Sequence, residues 1–324
     1  MRGLTSHFVY KDGVCNLMIE MELKSYAKIN LALNVSAVRD DGYHDVETVM
    51  QSVSLCDRLS FKWPENKSEQ LQIKVKTNKP YLPRDQRNLA YKGILFMAEK
   101  AAELRGKEPS GIMEIHIKKY IPVAAGLAGG SGNGAAALIA ANKLWRLKLN
   151  NRQLCTIGEK MGADVPFCIL AQNTHYKCAV GTGAGEKLQP LHKGLRKHVL
   201  LAKPAFGVST KEVFAGIDQC DIRERPDIKK LVYALNQGKA EGIYPQMVNV
   251  LECYTLQAYP QVYKLKELMG ETGGVRKVLM SGSGPTVIGI YDTSREARKA
   301  CLELRKEGYE AYWADTVFDP GRKR

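Results

Sequence analysis

The segment that most constrains this chain is Ile121-Pro-Val-Ala-Ala-Gly-Leu-Ala-Gly-Gly-Ser-Gly-Asn-Gly-Ala-Ala-Ala137, glycine-rich and set between two different periodicities. Ahead of it, Ile115 and Ile117 alternate with Glu114, His116 and Lys118, the pattern of a half-buried strand. Behind it, Leu138, Trp145 and Leu149 recur at helical spacing through the Ala-rich residues 135–149, which predicts a helix opening near Ser131. Gly126, Gly129, Gly130, Gly132 and Gly134 strip side chains from the turn, so backbone N–H groups can approach a ligand closely. The helix start adds unpaired N–H groups and the positive end of its dipole, which together suit a phosphate. No Gly-Lys-Ser/Thr follows, so this is not a Walker A loop. The even spacing of Gly126, Gly129 and Gly132 rules out G-x-G-x-x-G, and no ribose-binding acid stands about twenty residues on. Taken alone, the segment also fits a glycine-rich linker or tight turn.

Three further motifs fit the same chemistry. In Ser25-Tyr-Ala-Lys-Ile-Asn-Leu-Ala-Leu-Asn-Val35, the apolar positions Ile29, Leu31, Leu33 and Val35 alternate strictly. The other face of this strand carries Lys28, Asn30 and Asn34: either a solvent face or a pair of polar groups for a phosphate or hydroxyl. Asp40-Asp-Gly42 then signals a turn before Tyr43 and His44. In Met161-Gly-Ala-Asp-Val-Pro-Phe167, Pro166 suits the first turn of a helix and places Asp164 just ahead of it. The plain role for such an Asp is a helix cap. The chemical alternative is a carboxylate that accepts a proton from a substrate alcohol. Last, Met280-Ser-Gly-Ser-Gly-Pro-Thr286 reads as a hairpin turn between Val278–Leu279 and Val287–Tyr291, with Ser281 and Gly282 suited to close backbone packing against a substrate.

Together these blocks resemble the galactokinase–homoserine kinase–mevalonate kinase–phosphomevalonate kinase (GHMP) superfamily. The Ala-Lys-Ile-Asn strand, the Pro122-x3-Gly126-Leu-x-Gly-Gly-Ser131 loop and the Ser281-Gly-Ser-Gly284 segment occur in its order. Ala27–Leu31, Asp41-Gly-Tyr-His44 and Gly162-Ala-Asp-Val-Pro166 are most similar to the branch acting on a cytidine-diphosphate-linked methylerythritol in the non-mevalonate isoprenoid pathway. The resemblance runs from Met21 to about Val317. It implies an α+β fold in two domains, ribosomal-protein-S5-domain-2-like over 21–195 and ferredoxin-like over 196–324, with the site in the cleft between them. It further implies ATP-dependent phosphorylation of the substrate's 2-hydroxyl by a cytoplasmic monomer or weak homodimer. Residue by residue, Asp164 would be the general base. Lys28 would lie beside it, keeping it ionised and stabilising charge on the transferring group. Asn30 would contact the substrate, Tyr43 would stack on the cytosine, and His44 would bond its polar edge. Pro122, Gly126, Leu127, Ala128, Gly129, Gly130, Ser131, Gly132 and Asn133 would wrap the ATP phosphates, with Asn88 and Lys119 lining the adenine pocket. Mg²⁺ would arrive on ATP, with no His/Cys metal cage. Three positions depart from the family loop: Ala128 and Gly134 exchange Gly and Ala, and Gly132 replaces a Ser. A methyl at 128 would crowd the phosphate path if that residue has positive φ. Gly134 would cost about 1 kcal/mol of helix propensity. The segment 173–178 is longer and more polar than expected, so a second aromatic against the cytosine has no assigned position.

Composition fits this reading. With 324 residues and 44% hydrophobic content, the chain can bury a large core. No apolar run is long enough to span a bilayer. Eight scattered cysteines without C-x-x-C read as free thiols in a reducing compartment, and the six histidines show no metal spacing. Residues 1–20 precede the family pattern, lack the apolar run of a signal peptide, and read as a leader, a remnant or the product of an upstream start codon, without assigned function. The net charge of +14 raises nucleic-acid binding as a competing function. No zinc-finger, RRM or KH signature accompanies it, and a basic surface equally steers a diphosphate substrate. A homoserine- or mevalonate-type kinase, a non-catalytic phosphate-loop protein and a decarboxylase relative also compete. The first has no need of Asp41-Gly-Tyr-His44, and the second no need of both Lys28 and Asp164.

Coarse periodicity completes the expected architecture. β-rich stretches run through Lys76 and a helix spans Asn88 to Gly106. The phosphate-loop segment and a strand-rich return to about Leu191 follow. Beyond Lys203 the chain turns mainly helical, with helix 260–270, strands on either side of 281–284, helix 294–307 and strand 309–315.

Overall fold

The structure is a computed structural model describing residues 5–11, 14–38, 44–64 and 69–318. The chain forms two compact units. One comprises Met1–Tyr26, Cys56–Ile121 and Gly129–Thr174; the other comprises Ala27–Leu55, Pro122–Ala128 and His175–Arg324.

In the first unit, β1 (Thr5–Lys11) pairs antiparallel with the start of β2 (Val14–Val38), so part of the N-terminal extension is a hairpin arm. β2 shows its change of environment in its burial. Over 21–25 only alternate residues are buried, as expected of a one-sided strand. From Ala27 to Leu33 every residue is buried. Lys28 and Asn30 therefore do not form a solvent face. β3 (His44–Pro64) contributes its C-terminal half to this unit, followed by β4 (Leu71–Thr77) and helix α1 (Leu89–Arg105). β5 (Gly111–Lys118) lies antiparallel to β3 and parallel to β4, with Leu59 opposite Ile117 and Phe61 opposite Ile115. All four side chains are buried. α1 ends at Gly106 in the left-handed conformation, as the sequence led us to expect.

Helix α2 spans Gly129–Leu144, starting two residues earlier and stopping short of the expected 149. Arg146 and Lys148 have φ of 50° and 58°, which no helix continues through. The Asn142 amide closes this turn by bonding both the Leu149 N–H and carbonyl, and Arg105 Nη2 donates to the Trp145 and Arg146 carbonyls. Trp145 and Leu149 stay buried without being helical, so the hydrophobic spacing reported burial rather than helix. A capping box at Asn150 then opens α3 (Asn151–Glu159), an element absent from the sequence reading, and α4 (Val165–Asn173) follows. The glycine at 134 has a packing reason: a Cβ there would lie 2.8 Å from Met161 Cε and 3.2 Å from Leu89 Cβ.

In the second unit, β6 (Cys178–Thr182) pairs with residues 48–51 of β3 and with β7 (Lys187–Leu191). β8 (His198–Lys203) precedes a helical run of α5 (Thr210–Ile217), α6 (Ile228–Gln237), α7 (Ala240–Ile243), α8 (Glu252–Ala258) and α9 (Pro260–Gly270). Strands β9 (Val275–Met280) and β10 (Val287–Tyr291), helix α10 (Ser294–Lys306) and β11 (Glu310–Asp315) complete it. The four strands form an antiparallel sheet ordered β11-β8-β10-β9. Leu200, Ala202, Val287 and Tyr291 pack on Val262, Leu265 and Met269 of α9 and on Ala297, Cys301 and Leu304 of α10. This is the small α+β layer anticipated from the order of its elements. Among the described residues, no helix is long and apolar enough to cross a membrane.

Candidate active site

The second unit brings three of the sequence motifs together. The Lys28 N–H donates to the Leu127 carbonyl (3.1 Å), joining the Ala-Lys-Ile-Asn strand to the glycine-rich loop. Ser281 Oγ donates to the Gly126 carbonyl (3.1 Å), joining the loop to the turn between β9 and β10. Gly126 has φ of 69°, and a Cβ there would stand 2.2 Å from the Ser281 carbonyl oxygen, so no other residue fits. On the strand, Lys28 Nζ donates to Asn30 Oδ1 (2.9 Å) and Asn30 Nδ2 donates to Thr48 Oγ1 (2.8 Å). Thr48 Oγ1 in turn donates to the Ala32 carbonyl (2.7 Å). Lys28, Asn30 and Thr48 are all buried. The 281–284 turn is held from behind by Asn249, whose Nδ2 donates to the carbonyls of Met280 and Gly282, 2.8 Å each. Thr48 and Asn249 were not singled out from the sequence. Asn249 did carry a signal, a lone amide within the run Met247–Leu251.

Alternate residues of the loop, Ala124, Gly126 and Ala128, have φ of 51°, 69° and 52°. Two alanines in the left-handed region are uncommon, and left-handed loop residues build the backbone nests that take anions. Ala128 thus meets the condition under which its methyl is strained. The helix begins at the next residue, leaving the N–H groups of its first turn, Gly129 to Gly132, without intrahelical partners.

The first unit holds Gly129 to Asn133, Lys119, Asn88 and Asp164. Gly129 is closely approached, since a Cβ there would lie 2.6 Å from Lys119 Nζ. Lys119 is buried and ion-paired with Asp57, which is wholly inaccessible. Burial pulls the Lys119 ammonium below its ordinary pKa, against the opposing pull of the Asp57 charge. Asp57 Oδ1 also accepts the N–H groups of Tyr120 (2.8 Å) and Ile121 (2.9 Å). The sequence reading passed over Asp57, although it shares strand parity with the buried Leu59, Phe61 and Trp63. Asn88 caps α1, accepting from the Ala90 N–H (3.0 Å) and donating to the Pro83 carbonyl (2.9 Å). Asp164 stands at the head of α4 with Pro166 behind it, but its side chain makes no capping bond. The missing side chain of Gly132 leaves room for Ser25, whose Oγ lies 2.3 Å from where that Cβ would be.

His44 is buried in the second unit, its Nε2 2.8 Å from Asp218 Oδ1 and its ring 5.5 Å from that of Phe214. Tyr43, with Asp41 and Gly42, lies outside the described residues. Among the described residues, no three His, Cys, Asp or Glu side chains group as a metal site.

A loop of left-handed residues that runs on into a helix start is a backbone suited to an anion, the class of arrangement found in proteins that handle phosphate. Residues 88–172 match the family model of the GHMP kinases N terminal domain, and 229–310 that of the GHMP kinases C terminal. The chain belongs to the GHMP kinases and is a small-molecule kinase. It is 41% identical over 290 residues to the 4-diphosphocytidyl-2-C-methyl-D-erythritol kinase of Exiguobacterium sibiricum, covering 90% of this chain and 96% of the relative. The enzyme of the same name from Caldicellulosiruptor bescii is 39% identical over 285 residues, 88% and 94% of the two chains. A crystal structure of 4-(cytidine 5'-diphospho)-2C-methyl-D-erythritol kinase superposes with a TM-score of 0.72 at 30% identity, covering 91% of this chain and 99% of that one. A mevalonate kinase crystal structure shares the fold, with a TM-score of 0.63 at 14% identity.

Proposed function

We propose that this chain transfers the γ-phosphoryl group of ATP to the 2-hydroxyl of 4-diphosphocytidyl-2-C-methyl-D-erythritol, in the cytoplasm, as a step of non-mevalonate isoprenoid synthesis. The observation that carries the reading is the loop Pro122–Ala128, with three left-handed residues, bonded to the Lys28 backbone N–H and to the Ser281 hydroxyl. The curated relatives, matched over nine-tenths of their length, support the choice of substrate.

In this reading the loop and the first turn of α2 would hold the nucleotide phosphates through backbone N–H groups, and Mg²⁺ bound to ATP would supply the charge neutralisation that phosphoryl transfer needs. Asp164 takes the proton from the attacking hydroxyl. Lys28, aimed by Asn30, stabilises charge on the transferred group, and Asn30 contacts the substrate. Tyr43 stacks on the cytosine, and His44, oriented by Asp218, bonds its polar edge. Ser281 and Gly282 close the substrate side, while Asn88 and Lys119 belong to the nucleotide side. Domains of 21–195 and 196–324 are consistent with one family match falling in each.

The test is ADP release from Mg-ATP with the cytidylyl substrate, homoserine, mevalonate and galactose as acceptors. Turnover is expected on the first alone, and Asp164→Asn should lower kcat by about 10²–10⁴. Turnover on another alcohol overturns the substrate. Full activity of Asp164→Asn overturns the base.

A further inference from the structure

Asp57 takes no part in the chemistry proposed for the kinase, yet three donors of the loop's approach converge on it. One carboxylate oxygen takes the consecutive N–H groups of Tyr120 and Ile121, and the other pairs with Lys119 Nζ. The Lys119 backbone is gripped as well: its N–H donates to Asn78 Oδ1 (2.7 Å) and its carbonyl accepts from Asn78 Nδ2 (3.2 Å). The ammonium held this way rests against Gly129, the first residue of α2, close enough that a methyl at 129 would collide with it. A cation fixed there adds to the positive end of the helix where an anion is expected.

We propose that Asp57 is a positioning residue for the nucleotide: it locks Lys119 Nζ beneath the first turn of α2 and fixes the entry of the phosphate loop. A hydrophobic core position has no use for a carboxylate, and burying one is unfavourable unless several donors meet it. Here the donors are the two residues that start the loop and the lysine under its helix. Asp57 acts through Lys119 and the backbone rather than on ATP itself. The inference rests on the proposed kinase reading.

The test compares Asp57→Asn, the double variant Asp57→Asn/Lys119→Met and the native chain by thermal melting, ATP titration calorimetry and steady-state kinetics. Asparagine keeps an acceptor for the two N–H groups but strands the buried ammonium. The expected result is a lowered Tm and an ATP KM and Kd raised about tenfold or more, with kcat within about threefold. The double variant removes the stranded charge, so its Tm should recover while its ATP Kd and KM stay raised. Recovery of ATP affinity together with Tm would mean that Asp57 only stabilises the fold, and the inference falls. It also falls if the ATP KM and Kd of Asp57→Asn stay within twofold of native. If Asp57→Asn does not fold, Lys119→Met alone decides: the Asp57 carboxylate keeps its two N–H donors there, and an ATP Kd within twofold of native overturns the inference. A native chain that binds no ATP defeats the kinase reading itself, an outcome recognisable before any variant is made.

Discussion

The approach to the phosphate loop and its middle are anchored by different chemistry. At Lys119–Ile121 the anchor is a buried carboxylate–ammonium pair with two backbone donors. At Gly126–Leu127 it consists of neutral bonds from the Lys28 N–H and the Ser281 hydroxyl, with the 281–284 turn held by the Asn249 amide. A neutral anchor sets shape alone. A charged anchor sets shape and also fixes the potential at the helix start, and it fails harder, because losing one partner leaves a buried charge uncompensated.

The largest expected effect tests that asymmetry directly. Asp57→Ala should cost about 3–5 kcal/mol of stability, read by urea unfolding, with Lys119 left stranded. Asn249→Ala should cost less, about 1–3 kcal/mol, for carbonyls of Met280 and Gly282 left without a donor. A loss at Asn249 equal to that at Asp57 would erase the distinction. The smallest effect sharpens it, by asking what the loop conformation costs where no anchor acts. Ala128→Gly relieves a left-handed alanine at φ 52° but loosens the unfolded chain. The net expectation is a gain of about 0.5 kcal/mol and a Tm higher by about 1–2 °C. A lowered Tm would show that the alanine methyl packs favourably.

The motifs were legible because each is contiguous: the glycines of 126–134, Lys28 with Asn30 two residues on, and Asp164 ahead of Pro166 are visible in any window of ten residues. The elements with capping or alternation signals were legible for the same reason, α1 with Gly106 and β5 with its apolar register. What escaped depends on partners distant in sequence. Asp57 gains meaning only when Lys119, 62 residues away, lies under it, and Asn249 only when Met280 arrives 31 residues on. The overlong α2 has the opposite cause. Trp145 and Leu149 keep helical spacing and burial, while the turn that removes them from the helix is enforced by Asn142 and Arg105 side chains. Asp57 and Asn249 share one readable trait, a polar side chain at a position where its neighbours are core.

The relay on β2 has a direction. Lys28 can only donate, so the Asn30 amide must turn its oxygen toward Nζ and its NH₂ toward Thr48, whose own hydrogen is then committed to the Ala32 carbonyl. Every proton in the series is ordered by the first, and the amide has no second orientation of equal energy. Asn30→Asp, nearly identical in shape, reverses the demand at Thr48, whose hydroxyl cannot serve both the carboxylate and Ala32. The strand thus carries a fixed sequence of donors and acceptors from Lys28 to Ala32, set by the one group in it that cannot accept.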